Sequence, residues 1–169
     1  MRTVKCMDPF PMFRRNSRGY MRDPPAKLHT KILFGPGCML TEKFVEEKNI
    51  THIINCASEA DTPSWIPNYY NKNYVCLNSI DSLNVDITRW YEGFKNAMDK
   101  FLHDEDCGTV FVHCQAGMNR SGFLTVLYCC MKFGYEYEKV CKAALLQRPC
   151  ALTNSTFHSQ VKEYIKKHR

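Results

Sequence analysis

Cys114 and Arg120 stand six residues apart in the stretch VFVHCQAGMNRSGF, between an apolar run typical of a buried strand and an apolar run typical of a helix. Backbone N–H groups of such a loop, together with those of a helix N-terminus, converge into an anion cradle suited to phosphate. The planar fork of an arginine can bind two phosphate oxygens. The same positive surroundings favour the thiolate form of a cysteine, and a thiolate beneath a phosphate is a nucleophile directed at phosphorus.

The neighbouring residues have supporting roles in this interpretation. Ser121 can donate a hydrogen bond to the sulfur, and Gly117 permits backbone geometry that a Cβ would block. His113 precedes the cysteine on a strand, so its side chain should face the opposite way and order the loop rather than act as a base. A cysteine or an arginine alone is usually packing or surface charge, but packing does not explain the joint pattern Cys-x5-Arg-Ser. The predicted phosphate-binding loop consists of Gln115, Ala116, Gly117, Met118, Asn119 and Arg120.

Cleavage of a phosphoester also needs a proton donor on the same edge of the sheet as Cys114. Asp81 follows the apolar strand YVCLN on that side, and Glu59 and Asp61 follow another strand. The acidic residues before GTVFVH lie at the far end of that strand, and Asp86 is assigned to a helix cap. The sequence pattern therefore leaves three candidate donors, each of which could equally be a turn residue.

The elements that must position these side chains form an alternating pattern. Short apolar strands are predicted at KILF, ITHIINC, YVCLN and GTVFVH. Helices are predicted at TEKFVEEK with Thr41 as its N-cap, from Asp86 along a 3.6-residue apolar stripe, and over roughly 120–133, 137–147 and 155–167. This order predicts an α/β fold with a central, mostly parallel sheet of about four to five strands flanked by helices.

Composition restricts the class of protein. Of the six net positive charges on 169 residues, five fall in 1–27, which we interpret as a basic arm or linker before a domain over 28–169. The ten cysteines include no CxxC pair, so we expect mostly free thiols, no metal site and no cofactor. The sequence shows no secretory signal and no apolar stretch that could span a bilayer, so we expect an intracellular protein, cytoplasmic or nuclear, without membrane binding. Oligomeric state is not predicted.

The loop HCQAGMNRSG resembles the HCxxGxxRS signature of cysteine-dependent protein phosphatases, especially the compact dual-specificity branch. The resemblance extends over about 28–169: KILFGPGCML resembles the family's opening strand, NITHIINCASE its second strand, and QRPCALTNSTFHSQVKEY its closing segment, with Thr153 in place of the usual proline. It implies a phosphatase domain that works through a cysteinyl-phosphate intermediate. An NRSG ending also occurs in virus-encoded members and in RNA-directed relatives.

The resemblance also implies roles for individual residues. Asp81 matches the family's general-acid position, which favours it over Glu59 and Asp61. Asn154 matches a residue that braces the loop, although a helix N-cap explains it equally well. The NCASE context of Cys56 resembles that of a second cysteine in some relatives. If its strand adjoins that of Cys114, the two cysteines could form a disulfide on oxidation.

Cys56 can also be explained as core packing, and Cys76, Cys129 and Cys130 are rival redox partners.

The substrate class is judged from the uncharged loop positions, since inositol-lipid phosphatases carry lysines there. We therefore expect phosphotyrosine and phosphoserine or phosphothreonine proteins as substrates. The alternatives are an RNA 5′-triphosphatase or diphosphatase, which Ala116 disfavours where RNA-directed relatives have histidine, and a phosphate-binding interaction module. The basic arm is expected to dock a partner or to attract polyanions non-specifically.

Overall fold

A computed structural model describes residues 19–169 and shows one five-stranded sheet in the order β1-β2-β5-β3-β4. Strands β2, β5, β3 and β4 are parallel, and only β1 runs antiparallel, against β2. The predicted α/β class and the mostly parallel sheet are confirmed. The strands are β1 (Ala26–His29), β2 (Ile32–Pro36), β3 (Ile50–Asn55), β4 (Tyr74–Cys76) and β5 (Thr109–Cys114).

Helices cover both faces of the sheet. The three predicted C-terminal helices are present within a residue of their expected bounds, and Thr41 caps its helix by accepting a hydrogen bond from the Phe44 N–H at 3.1 Å. The helices are α1 (Gly19–Arg22), α2 (Glu42–Glu47), α3 (Ile66–Tyr70), α4 (Tyr91–His103), α5 (Arg120–Phe133), α6 (Tyr137–Gln147) and α7 (Ser155–His168).

The alternating side chains of β5 divide the core into two clusters. Val110 and Val112 pack with α4, α5, α6 and α7 on one face, whereas Phe111 packs towards α2 and α3 on the other. Helix α5 is buried on all sides from Ser121 to Cys130, because it crosses the larger face between the sheet and the outer helices. The strand that ends at Cys114 and the helix that follows it are therefore both held deep in the fold.

The strand register brings the carboxyl ends of the four parallel strands to one edge of the sheet. Pro36 of β2 pairs with Cys114 of β5, and Asn55 of β3 pairs with His113. The loops that follow β2, β3, β4 and β5 consequently gather at this carboxyl edge, as expected for a parallel sheet.

Several elements were not predicted from the sequence. Helix α1 lies within the predicted arm, and strand β1 crosses the boundary between the arm and the domain. The described part of the arm, 19–27, therefore packs against the domain. Its remaining residues, 1–18, lie outside the described part of the chain. Helix α3 lies between β3 and β4, where no helix was predicted, and the helix expected from Asp86 begins with a 3₁₀ turn, Ile87–Trp90, before α4.

Candidate active site

The loop between β5 and α5 holds the predicted nucleophile at its base. Cys114 is the last residue of β5 and is only 2% exposed. Its Sγ lies 3.2 Å from the Oγ of Ser121, which is fully buried in the first turn of α5. The serine hydroxyl is thus placed to donate a hydrogen bond to a sulfur that carries negative charge.

Gly117 makes the tight return of the loop. Its φ is +62°, a left-handed conformation that residues with a Cβ rarely adopt. A Cβ at this position would lie 2.1 Å from the carbonyl carbon of Gly35 and 2.2 Å from the nitrogen of Pro36. The loop can therefore lie directly against the end of β2 only because this residue is glycine.

Backbone carbonyls of the loop are bound from the side of the C-terminal segment. The Met118 carbonyl accepts a hydrogen bond from the Leu152 N–H at 3.0 Å, and the Ala116 and Gly117 carbonyls accept from the guanidinium of Arg148 at 2.9 and 2.7 Å. These contacts order the loop from beneath. Sequence reasoning missed Arg148 altogether.

Arg120 is the first residue of α5 and is partly exposed. One terminal nitrogen, Nη1, donates to the Ser79 carbonyl at 3.1 Å, which ties the guanidinium to the loop that carries Asp81. Its Nε is buried and has no acceptor within the described residues. Together with the N-terminal N–H groups of α5, this side chain gives the loop the donors needed to hold an oxyanion.

Two amide side chains, one from the phosphate loop and one from the N-cap of α7, bind the carboxylate of Asp81. Asn119 Nδ2 donates to Asp81 Oδ2 at 3.1 Å, and Asn154 Nδ2 donates to Asp81 Oδ1 at 3.0 Å. The oxygen of Asn119 in turn accepts from the Thr153 and Asn154 N–H groups, both at 2.9 Å. Asn119 was predicted only as a loop member, but its side chain joins three segments of the site.

Asn154 combines the two roles that the sequence left open. Its Oδ1 accepts a hydrogen bond from the Phe157 N–H and so caps α7, while its Nδ2 donates to Asp81. The two explanations are compatible because an asparagine side chain has a separate acceptor and donor.

The other candidate proton donors are engaged in local structure. Glu59 accepts a hydrogen bond from the Tyr74 hydroxyl at 2.8 Å. Asp61 closes a capping box with Ser58, whose N–H and hydroxyl both donate to Asp61 Oδ2. Asp86 caps the 3₁₀ turn before α4, as expected. Of the carboxylates considered from the sequence, the structure brings Asp81 to the phosphate loop.

His113 lies on the opposite face of β5 from Cys114, with its ring stacked beside Phe111. It is fully buried, and burial lowers its pKa from the ordinary 6.5 to about 4. Its Nδ1 lies 3.2 Å from the Cys114 carbonyl, and because a carbonyl only accepts, that nitrogen carries the proton. A neutral, buried imidazole bonded to the backbone supports the end of the strand and is not positioned to act as a base.

Cys56 lies directly after β3, beside the end of β5. Its N–H donates to the His113 carbonyl at 2.7 Å, so the register places Cys56 opposite Cys114, on the same face of the sheet. Parallel neighbours are about 5 Å apart. Burial, followed by the proximity of Cys114, raises the pKa of the Cys56 thiol well above its ordinary value.

Arg120 is the only charged residue among the loop positions 115–120. Gln115, Ala116 and Met118 are all partly exposed, and none supplies a second cation for a multiply phosphorylated ligand. Within 19–169 no cluster of acidic, histidine and cysteine side chains is arranged to hold a metal ion. None of the described helices combines the length and apolar character needed to cross a membrane.

Comparison with known families gives one match over most of the chain. Residues 33–167 match the family model described as the dual specificity phosphatase catalytic domain. Similar curated proteins include dual specificity protein phosphatase 4 of Gallus gallus, 30% identical over 115 residues, covering 68% of this chain and 29% of that protein. Dual specificity protein phosphatase 1B of Arabidopsis thaliana is 28% identical over 123 residues, covering 73% of this chain and 70% of that protein.

The match spans less than a third of the length of most of the similar curated proteins, for example 17% of a Dictyostelium discoideum MAP kinase phosphatase with leucine-rich repeats.

Among solved structures, a mouse putative dual specificity phosphatase complexed with zinc tungstate superposes with a TM-score of 0.72 at 17% identity, covering 98% of this chain and 94% of that chain. The human tyrosine phosphatase-like serine/threonine/tyrosine-interacting protein gives 0.70 at 23% identity, covering 85% and 97%. These structural likenesses show a shared fold.

Proposed function

Because the chain belongs to the family of dual specificity phosphatase catalytic domains, we propose that it hydrolyses phosphotyrosine and phosphoserine or phosphothreonine in proteins. One observation carries this proposal: Asp81 is hydrogen-bonded to Asn119, within the loop that begins after the buried Cys114. A nucleophile and a proton donor are thereby held at one anion cradle. That combination suits phosphoryl transfer to sulfur and then to water.

In the first step, the Cys114 thiolate attacks phosphorus, and the bond from phosphorus to the substrate oxygen breaks. Asp81 gives its proton to the departing oxygen, so that the alcohol or phenol leaves neutral. Arg120 binds two of the equatorial phosphoryl oxygens, whose charge it stabilises most strongly in the transition state. The backbone N–H groups of the loop bind the remaining oxygen.

In the second step, water attacks the cysteinyl phosphate and the sulfur–phosphorus bond breaks. Asp81, now ionised, accepts a proton from the water. The electron pair returns to sulfur, where the Ser121 hydroxyl at 3.2 Å donates a hydrogen bond to the thiolate. Inorganic phosphate is released, and the thiolate and the protonated aspartic acid are both restored for the next cycle, because the proton lost by Asp81 in the first step is regained from the attacking water.

The choice of phosphoprotein over other phosphate esters rests on the loop. Arg120 is the only cationic residue among loop positions 115–120, which fits a single phosphate group. Curated relatives named as protein phosphatases, including one named for MAP kinases, favour the same class. RNA with a 5′-triphosphate is the second candidate, because GMNRSGF approaches the RNA-directed pattern and the arm is basic.

The experiment compares four substrates side by side: p-nitrophenyl phosphate, a phosphotyrosine peptide, a phosphothreonine peptide and γ-labelled triphosphate-ended RNA. We expect the peptides to be hydrolysed with the higher kcat/KM. A value at least tenfold higher for RNA would replace phosphoprotein by RNA as the substrate. Phosphate binding without turnover of any substrate would instead indicate a binding module.

Variants of the loop assign the chemistry. Cys114→Ser should reduce turnover to the level of the blank, and Arg120→Lys should lower kcat by about 10²- to 10³-fold. Cys107→Ser is the matched control, because Cys107 is also buried but precedes the opposite end of β5. Equal turnover by wild type and Cys114→Ser would refute the assignment of the nucleophile.

A further inference from the structure

We propose that Arg148 is a positioning residue that orients the N–H groups of the phosphate loop and couples the loop to the chain segment at 20–24. The inference deepens the proposed function, on which it rests for its catalytic consequence. Arg148 lies before α7 and is fully buried, the largest side chain in the described core to be so. The guanidinium has no carboxylate hydrogen-bonded to it among the described residues.

Every N–H group of this guanidinium has an acceptor. An arginine side chain carries five such donors in a rigid planar fork, and five backbone carbonyls surround it here. Two belong to the phosphate loop and three to the segment at 20–24. The bonds are Nε to Gly117 O at 2.7 Å, Nη2 to Ala116 O at 2.9 Å and Tyr20 O at 2.8 Å, and Nη1 to Asp23 O at 2.7 Å and Pro24 O at 3.3 Å.

The two loop contacts determine where the neighbouring N–H groups point. In a planar trans peptide, the C=O of one residue and the N–H of the next are directed oppositely. Because the Ala116 and Gly117 carbonyls point to Arg148, the N–H groups of Gly117 and Met118 point away from it. The Leu152 N–H binds the Met118 carbonyl and directs the following N–H in the same manner. The C-terminal segment thus orients three successive N–H groups of the anion cradle.

The segment at 20–24 holds the other side of the guanidinium. It is attached independently at Asp23, whose Oδ2 accepts a hydrogen bond from the Cys150 N–H at 2.9 Å. Tyr20 is buried, and Ala26, two residues beyond the segment, is fully buried. The planar fork therefore joins two stretches of chain about a hundred residues apart, and a shift of one stretch moves the acceptors that fix the other.

The charge of Arg148 acts in the same place. Burial lowers its pKa, and the nearby Cys150, Cys114 and Asp23 oppose that effect. A guanidinium remains protonated in proteins, so the cation persists beneath the loop. It adds positive potential near Cys114, which stabilises a thiolate or a bound phosphate there. Lysine could supply the charge but not five hydrogen bonds in fixed directions.

A purely structural anchor is the competing explanation, and binding of an anion separates the two. We would titrate inorganic phosphate into the full-length, ¹⁵N-labelled Cys114→Ser protein and follow the amide signals of Gly117 and Met118. Adding Arg148→Lys should weaken phosphate binding by about tenfold or more, because two charged hydrogen bonds to the loop are lost or misdirected. In the enzyme that retains Cys114, Arg148→Lys should lower kcat by about 10²-fold, because the phosphate loop is displaced.

Arg22→Lys is the matched control, because Arg22 is exposed and lies within the same segment, where the carbonyls that bind Arg148 belong to Tyr20, Asp23 and Pro24. It should leave phosphate binding and kcat unchanged. A folded Arg148→Lys protein with the control's phosphate affinity and amide shifts would overturn the proposal. This comparison holds even if the wild-type enzyme hydrolyses none of the substrates, since that result would count against the proposed function and not against the orientation of the loop.

A second variant decides the matter if Arg148→Lys does not fold. Asp23→Ala removes the acceptor of the Cys150 N–H and loosens the segment at 20–24 without touching the loop. We expect phosphate affinity to fall severalfold and the Gly117 and Met118 amide signals to shift. A lower melting temperature with unchanged phosphate affinity and unchanged amide signals would show that the segment only anchors the fold.

Discussion

Replacement of Asp81 by asparagine tests the proposed division of labour at the site. The two side chains have the same shape, so the variant keeps the loop after β4 in place while removing the transferable proton. Asp81 accepts hydrogen bonds from Asn119 and Asn154 at 3.1 and 3.0 Å, one on each oxygen. An amide can accept only one of them, since its second group is itself a donor.

The magnitude follows from these two losses. Loss of the proton should lower the rate on substrates with poor leaving groups by about 10²- to 10⁴-fold, or about 3 to 5 kcal/mol of transition-state stabilisation. The unsatisfied amide–amide contact should cost about 1 to 3 kcal/mol of folding stability, because one donor is left without its acceptor. The two effects are measurable separately, by kinetics and by denaturant unfolding.

The assay is a series of aryl phosphates of increasing leaving-group pKa, together with a phosphothreonine peptide. For Asp81→Asn, log kcat/KM should fall steeply with leaving-group pKa, whereas for the wild type the dependence should be shallow. Glu59→Gln and Asp61→Asn are matched controls, since both remove a carboxylate that is bonded to local structure. A uniform loss across the Asp81→Asn series, or a steep slope in either control, would refute the assignment.

Two further predictions concern His113 and Cys56, which lie beside Cys114 at the carboxyl edge of the sheet. The pKa of His113 is about 4 in the folded state against an ordinary 6.5 in the unfolded state. The contribution of this difference to the free energy of unfolding is therefore complete above pH 6.5, and about 3 kcal/mol of it is lost as the pH falls to 4. Urea unfolding at pH 7 and 4 should show that His113→Gln loses less stability between the two pH values than the wild type does. An equal loss in the two proteins would contradict this prediction. Mild peroxide should convert Cys114 of the wild type to a Cys56–Cys114 disulfide, and thiol should then reduce that disulfide and restore activity. The Cys56→Ser variant should not regain activity under the same treatment. Full recovery by Cys56→Ser, or loss of recovery in Cys76→Ser instead, would leave Cys56 as core packing.

The strands and helices that position the site could be predicted because they are long or strongly apolar. Helix α5 and strand β5 are continuous apolar runs, and α2 begins at a capping threonine. Strand β1 carried no such signal: it has four residues, only Ala26 of them is buried, and it lies at the edge of the sheet directly after two prolines. An edge strand this short shows no alternation for a pattern to reveal.

The chemistry of the site was also accessible from the sequence, because the nucleophile, the cradle and the arginine are contiguous. The connections among its segments were not. Asn119 looked like one polar loop residue among several, although its side chain contacts Asp81 and the Thr153 and Asn154 backbone. These partners are 34 to 38 residues away along the chain, a separation that no local pattern reports.

Arg148 shows why such support is hidden. All its acceptors are backbone carbonyls, which every residue possesses, so nothing in the residue types at 20–24 or at 116–117 identifies them as partners. The signal lies in the arginine alone: it stands within RPCAL, followed closely by the buried Cys150, Ala151 and Leu152. A charged side chain in an apolar stretch must find hydrogen-bond partners when the stretch is buried, since an unpaired buried charge is too costly. Arginine in that setting therefore marks a place where distant backbone segments meet, and here they meet directly beneath the phosphate loop.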